Sequence, residues 1–401
     1  MNLLKFLPKL SPQYSIFLII PILFVPIIYF YQNSRVLGQQ ISKINIQKAD
    51  VEKQSENLGA QLKTVQDELE TLKNDDQVKK NKELEEEINN IHKTYLKSVD
   101  TYEKLLELKD SKIKTDKLDK DFAQSLKLLS GKKYQEADAL LDNLNKKIQT
   151  ENDKAQAAIK IPVNVVADNT PPSSGYRRQT VQTDSGSFLV DVISADLGST
   201  KVLVDTASDG DCANDCPVLT LSDYVSRNGA FAGINGTYFC PSTYPSCAGK
   251  TNSFDLLVMN KNKKYLNSDN NIYSTNPAVI FSGNSARFVT SVLQWGRDTG
   301  VDSVLSNYPL LVLDNQIQFS GGGDVKFNSK GARSFVGASG STTYIGVVHN
   351  ASIAESAKVL KTLGVINALN LDNGGSTALW SGGYKVGPGR NIPNALLFIK
   401  K

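Results

Sequence analysis

Histidine occurs only twice in the 401 residues, and only His349 lies beyond residue 160. Glutamate is equally scarce there, represented by Glu355 alone. A mechanism needing two histidines is therefore excluded from the C-terminal part, and carboxylate chemistry there falls on aspartate. The net charge is only +4, too small to imply a nucleic-acid partner. Between Ala60 and Gly131 there is no glycine and no proline, so nothing interrupts a helix. The length suggests two or three domains. Charge is concentrated early: of 45 Lys+Arg and 41 Asp+Glu, 19 and 17 lie after residue 160, leaving 26 and 24 for residues 1–160. All four cysteines, both tryptophans and most glycines lie after residue 160, which gives that part the composition of a packed domain.

Residues 14–31, YSIFLIIPILFVPIIYFY, carry no charge. Eighteen helical residues span about 27 Å, close to the hydrocarbon thickness of a bilayer. Tyrosines at both ends and Lys5 and Lys9 ahead of the run predict a transmembrane anchor with its N-terminus in the cytoplasm. A cleaved signal peptide is the alternative, and either exports the rest of the chain. Residues 36–115 read as a helical stalk. Leu58, Leu62, Val65, Leu69 and Leu72 follow 4-3-4-3 spacing, and Leu84, Ile88, Ile91, Tyr95 and Val99 resume it after a slip near Asn74–Asp76. That spacing predicts a coiled coil and a homo-oligomer. Residues 116–160 read as a helical hairpin stopping at Gly131, 161–175 as a proline-rich linker, and 1–35 as the cytoplasmic tip and anchor.

From 176 to 401 the pattern is β-rich, with apolar–polar alternation in 187–197, 200–207, 277–281, 309–319, 342–349 and 395–400. Two helices interrupt it, near 219–227 and 353–363; Ser352 and Glu355 form a capping box for the second and Gly364 ends it. The fold class is α+β with a mixed, largely antiparallel sheet, preceded by the transmembrane helix and the coiled-coil stalk. Cys212, Cys216, Cys240 and Cys247 predict disulfides of open connectivity, with a zinc site as the rival. The acidic loop with Asp209, Asp211 and Asp215 lacks the glycine and the final glutamate of a calcium loop, so no metal and no cofactor is expected. The stretch NALNLDNGGSTALWSGG (367–383) puts Asp372 at a strand end before a Gly-rich turn. Locally it fits a hairpin as well as the floor of an active site.

Four segments in order resemble the phosphodiester glycosidase domain family: FAGINGTYF (231–239), ARSFVGAS (332–339), SAKVLKTLGVINALNLDNGGST (356–377) and GRNIPNALLF (389–398). The resemblance covers about residues 176–401. Thr237 stands where the family usually has glycine, Asn373 interrupts the glycine triplet after Asp372, and the insertion carrying Cys240 and Cys247 is not a general family feature. The resemblance implies hydrolysis of the bond between a sugar's anomeric carbon and a phosphodiester oxygen. On that basis Arg333 and Arg390 are phosphate clamps, because guanidinium forks bind phosphate oxygens. Backbone N–H groups at Asn373, Gly374 and Gly375 are further anion donors. Asp372 is the candidate general base or nucleophile, or else it caps its own turn, and His349 is a candidate acid or base. Asn235 would bind sugar hydroxyls, Tyr238 or Phe239 would stack on a sugar face, and Asn394 would orient Arg390 or the sugar. Asp255 and Asp324 are reserve carboxylates. The expected function is an exported, membrane-anchored glycosidase acting on sugar-1-phosphodiesters of envelope glycans or glycolipids. The alternative is a non-catalytic glycan-binding surface protein on a coiled-coil spacer.

Overall fold

The computed structural model describes residues 12–74, 76–158, 165–294, 297–298, 300–322 and 325–401, with side chains in the first helix described from residue 26. The chain divides into two compact units, Met1–Asn89 and Asn90–Lys401.

The first unit is helical. Helix α1 (Pro12–Lys73) ends where the heptad spacing slips, and α2 (Asp76–Asp110) starts beyond it. Leu58, Leu62, Val65, Leu69 and Leu72 are all more than half exposed, so the apolar stripe has no partner within the described residues. Among the described residues no helix is long and apolar enough to cross a membrane. The side chains of 14–25, most of the predicted span, lie outside the described residues.

The second unit begins with the C-terminal half of α2, α3 (Asp116–Ser130) and α4 (Tyr134–Ala157). Leu105, Leu108, Leu118, Leu144 and Ile148 close a small core among them. This three-helix module precedes a β-structure of three antiparallel sheets. The largest has seven strands in the order Gly175–Thr183, Gly186–Asp196, Thr342–Ala351, Gly331–Ser339, Asn367–Asn370, Leu310–Leu313, Gln316–Ile317. The second has five: Tyr384–Val386, Leu379–Ser381, Ala232–Asn235, Asn394–Lys400, Thr200–Thr206. The third also has five: Tyr265–Leu266, Val258–Met259, Ser303–Ser306, Ala278–Ser282, Ser285–Val289.

Period-two alternation explains the layering. Ile193, Val336, Ile345, Val347 and Leu369 point from the seven-stranded sheet into a shared core with Val202, Val204, Ile234, Leu396 and Phe398 of the second sheet. Val279, Phe281 and Leu305 of the third sheet close the same core. On the outer face of the seven-stranded sheet, Val190, Val192, Phe335 and Val348 meet Ala357, Leu360 and Leu363 of helix Ile353–Thr362 and its C-cap. That helix begins with the Ser352–Glu355 capping box expected from sequence, a device whose N-cap is worth about 1 kcal/mol. Helix Leu221–Asn228 covers the outer face of the second sheet through Leu221, Tyr224 and Val225 against Ala395 and Leu397.

The cysteines pair as Cys212–Cys216 and Cys240–Cys247. Asp314 and Asn315, both with positive φ, make the two-residue hairpin read at that point in the sequence. The Asn373-Gly374 turn is different. Strand Asn367–Asn370 pairs within the seven-stranded sheet, whereas Leu379–Ser381 pairs with Ala232–Asn235 of the second. The turn therefore crosses between sheets and is not a hairpin.

Candidate active site

The crossing turn places Asp372 where the two sheets meet. Its main chain is fixed from both sides: its N–H donates to the Gly236 carbonyl at 2.9 Å, and its carbonyl accepts from Asn235 Nδ2 at 2.7 Å. Asn235 is fully buried, and its Oδ1 accepts from Ser334 Oγ (3.0 Å) and the Ala378 N–H (3.1 Å). Its polar atoms are spent within the protein, so it ties three segments together beneath Asp372. Asn394 has a similar place. Its Oδ1 accepts from the Thr237 N–H and its Nδ2 donates to Thr237 Oγ1, both at 2.9 Å. A Cβ on Gly236 would meet Asn394 Oδ1 at 1.9 Å, so only glycine fits there.

A cavity of about 880 Å³ opens above this floor, lined by Asp372, Asn373, Gly374, Gly375, Ser376, Arg333, Arg390, His349, Tyr238 and Phe239. The fold thus gathers most of the residues singled out from sequence. Asp255 is not among the lining residues, and Asp324 lies outside the described ones.

Asp372 is 9% exposed, and its carboxyl is pushed up to about 7. Burial is the cause; the Ser376 hydroxyl, the Arg390 charge and the Asn373 amide pull the other way without prevailing, and Glu107 adds to the rise. The Asn373 N–H donates to Asp372 Oδ1 at 2.8 Å, so that amide is committed. The amides of Gly374 and Gly375 have no hydrogen-bond partner among the described residues. Gly374 takes a left-handed φ of 61°. A Cβ on Gly375 would lie 2.3 Å from Arg390 Nη2, which is why the turn needs glycine against the guanidinium.

Arg390 is held by its own backbone, whose N–H donates to the Gly375 carbonyl at 2.8 Å. Its guanidinium lies over the Tyr244 ring at 5.3 Å and donates to Asp110 Oδ2, on α2, at 2.5 Å. Two neighbouring carboxylates, Glu103 and Glu107, also reach the β-structure, accepting from the Ser246 N–H and the Tyr244 hydroxyl at 3.0 Å each. Arg333 is 6% exposed. It donates to the carbonyls of Ala351 (2.9 Å), Lys326 (3.2 Å) and Ser329, and it has no ion pair among the described residues. Burial lowers its pKa, and the charges of Tyr238, Glu107 and Glu355 oppose that without prevailing.

His349 Nε2 lies 2.7 Å from Asp191 Oδ2. Asp191 is fully buried and also accepts from Arg178 Nε (2.8 Å), Arg178 Nη2 (2.9 Å) and the Tyr176 hydroxyl (2.5 Å). Burial alone would raise its carboxyl; His349, Arg178 and Tyr176 outweigh that and hold it down at about 2. The anion fixes the imidazole through one nitrogen, and Nδ1 has no partner among the described residues.

Residues 228–399 match the phosphodiester glycosidase family model. Over those residues the β-structure is similar to the phosphodiester glycosidase family. A hypothetical protein from Synechocystis is similar in structure at a TM-score of 0.41 and 12% identity, over 56% of this chain and 62% of that one. So is the catalytic domain of zebrafish N-acetylglucosamine-1-phosphodiester alpha-N-acetylglucosaminidase, auto-inhibited by its pro-peptide, at a TM-score of 0.44 and 16% identity, over 59% of this chain and 87% of that one. No curated protein matches the sequence.

Several residues in and around the cavity escape sequence reasoning. Asp191 sits inside SFLVDVIS, where a carboxylate in an otherwise apolar strand is the available signal. Glu103, Glu107 and Asp110 recur at 4-3 spacing on α2, one face of a helix, but nothing in a densely charged helix marks that face. Ser376, Tyr244 and Tyr308 carry no local signature at all.

Proposed function

We propose that the protein hydrolyses sugar-1-phosphodiesters, with Asp372 as the group that activates water or attacks the anomeric carbon. The observation carrying this is a buried carboxylate held near neutrality in one cavity with two guanidinium groups. A base poised near the working pH combines a usable ionised fraction with real basicity. Arg390 and the free Gly374 and Gly375 amides bind the phosphodiester, and Arg333 adds a buried positive charge that only an anion would match. Phosphate leaves readily, so protonation of the departing oxygen matters less than with an alcohol; the Asp191-anchored His349 is the group available for it through Nδ1. Asn235 and Asn394 act as positioning residues rather than sugar ligands, because their polar atoms are spent. Asp110 shares Arg390 in this arrangement, and a phosphodiester competes with it.

The remainder of the reading concerns placement. The two disulfides fit a domain exported to an oxidising compartment. The uncharged run 14–31 serves as the membrane anchor, and the exposed 4-3-4-3 stripe on α1 pairs with further copies as a coiled coil. Substrates are then glycans or glycolipids of the cell envelope. The test is turnover of a sugar-1-phosphodiester reporter by the full chain: release of sugar and phosphomonoester, lost in Asp372→Asn and Arg390→Ala with thermal unfolding retained, is the expected result. Binding without turnover, unaffected by Asp372→Asn, overturns it.

A further inference from the structure

The family match begins at residue 228, yet one wall of the cavity comes from the helical module at 90–158. On α4 the lining residues Asn145, Gln149, Asn152 and Gln156 recur at 4-3-4 spacing, which puts four carboxamides on one face of the helix. The stripe runs about 16 Å along the axis, longer than a single sugar ring. Several charged groups beside it have partners of their own: Asp142 pairs with Lys97 at 2.6 Å, Lys104 with Asp100 at 2.6 Å and Lys330 with Glu355 at 3.0 Å, while Lys146 also lines this wall. The carboxamides are less committed. The Gln156 carboxamide has no hydrogen bond among the described residues, and that of Gln149 uses only Nε2, on Asp153 at 2.8 Å. Asn152 donates to the Lys330 carbonyl at 3.0 Å, which ties the stripe to the β-structure, and Asn145 donates to Thr101 Oγ1 at 3.0 Å.

The β-structure's side of the same cavity carries linked aromatic rings: Tyr238 and Tyr308 have centroids 5.1 Å apart, and Tyr308 and Phe327 6.3 Å. A sugar ring has an apolar face and an equator of hydroxyls that both donate and accept. An aromatic platform meets the first, and a carboxamide, with two donors and a carbonyl acceptor, meets the second. The carboxamides themselves carry neither the charge a second phosphate would seek nor the apolar surface a lipid chain would need.

We propose that the carboxamide face of α4 is a binding wall for a neutral oligosaccharide, extending the substrate beyond the scissile sugar phosphate. The substrate class is then a glycan of more than one unit. This rests on the phosphodiester glycosidase reading of the opposite wall for its place in catalysis, though not for the binding itself.

The experiment is titration of the full chain, wild type and the double variant Gln149→Ala/Gln156→Ala, with chitotetraose and maltotetraose and with their monosaccharides. These probes carry no phosphate. Gln149 is exposed and Gln156 half-buried; alanine favours the helix at both, and thermal unfolding checks the fold. The wild type is expected to bind one tetrasaccharide at least tenfold more tightly than its monosaccharide, and the double variant to lose most of that gain. No tetrasaccharide preference in the wild type, or an undiminished preference in the variant, overturns the proposal. Reporter turnover by the wild type is read separately. Turnover without tetrasaccharide binding leaves the enzymatic reading standing and sinks this one, and Gln149/Gln156-dependent binding without turnover does the reverse.

Discussion

Asp191 and Asp372 are both buried aspartates on strands of one sheet or at its edge, and their surroundings drive them apart. Asp191 is met by an imidazole, a guanidinium and a phenol hydroxyl, and its carboxyl stays ionised, near 2. Asp372 is met by a hydroxyl and a backbone amide, with its nearest guanidinium partly occupied by Asp110, and it sits near 7. Burial is common to both; the count of committed donors decides the outcome. A pair of titratable groups pushed apart by environment is how one site divides structural from reactive work. Asp191 has the features of a fixed support and Asp372 those of a group that exchanges a proton.

The sharpest break in this comparison is Asp372→Asn. Turnover is expected to fall by about 10³-fold or more, in keeping with loss of the principal reacting group. Stability should move the other way. A carboxyl raised on folding destabilises the native state once it must ionise, so the cost is absent below about pH 4 and complete above about pH 7. At roughly 1.4 kcal/mol per unit the variant gains at most about 4 kcal/mol at pH 8 and nothing at pH 4. Thermal unfolding at the two pH values checks the sign.

Asp191→Asn comes next. It leaves Arg178 and His349 without their anion, a loss of about 3 kcal/mol for a broken buried pair. Turnover falls by about 10²-fold through misplacement of the imidazole. A depressed carboxyl stabilises above its unfolded value and loses that contribution as pH falls toward 2. The gap between wild type and variant should therefore narrow steadily below pH 4 in acid titrations of unfolding. Asp110→Asn probes the partner that Asp372's guanidinium shares. KM for an anionic substrate should fall about two- to fivefold, the range corresponding to 0.5–1 kcal/mol for a partly exposed pair. The smallest effect on chemistry is expected from Leu62→Glu with Leu69→Glu, which places charge in the exposed stripe. Light scattering should show a shift toward monomer, with turnover per site unchanged.

Ordered motifs, more than local grammar, brought the candidate site residues forward from the sequence. Asp372, Gly374, Gly375, Arg333 and Arg390 came forward through the ordered family motifs, since the Gly-rich turn alone fitted a hairpin equally well. The capped helix at Ile353–Thr362 and the Asp314-Asn315 hairpin were legible from local chemistry, a capping box and a two-residue turn. The inter-sheet crossing at Asn373 was not, because Asn-Gly specifies a turn without specifying which strands flank it. Asn235 and Asn394 looked like ligand residues, since an exposed and a fully hydrogen-bonded asparagine read alike until their neighbours are known. Asp191 was hidden because an alternating strand reads as having one face in water, whereas Gly186–Asp196 is buried on both faces. The cavity wall on α2 and α4 was hidden because charge and amide patterns on a solvated helix do not reveal which face will dock.

The central claim is that Asp372 ionises near neutrality and that this ionisation carries turnover. Its direct test is the pH dependence of kcat/KM for a sugar-1-phosphodiester reporter between pH 5 and pH 9, compared with the titration of the Asp372 carboxyl followed by carbon NMR in the free protein. The account predicts activity rising with pH through an inflection near 7 that coincides with the carboxyl titration. An Asp372 carboxyl titrating near 4, or a profile with no inflection on the rising limb between pH 6 and pH 8, contradicts it.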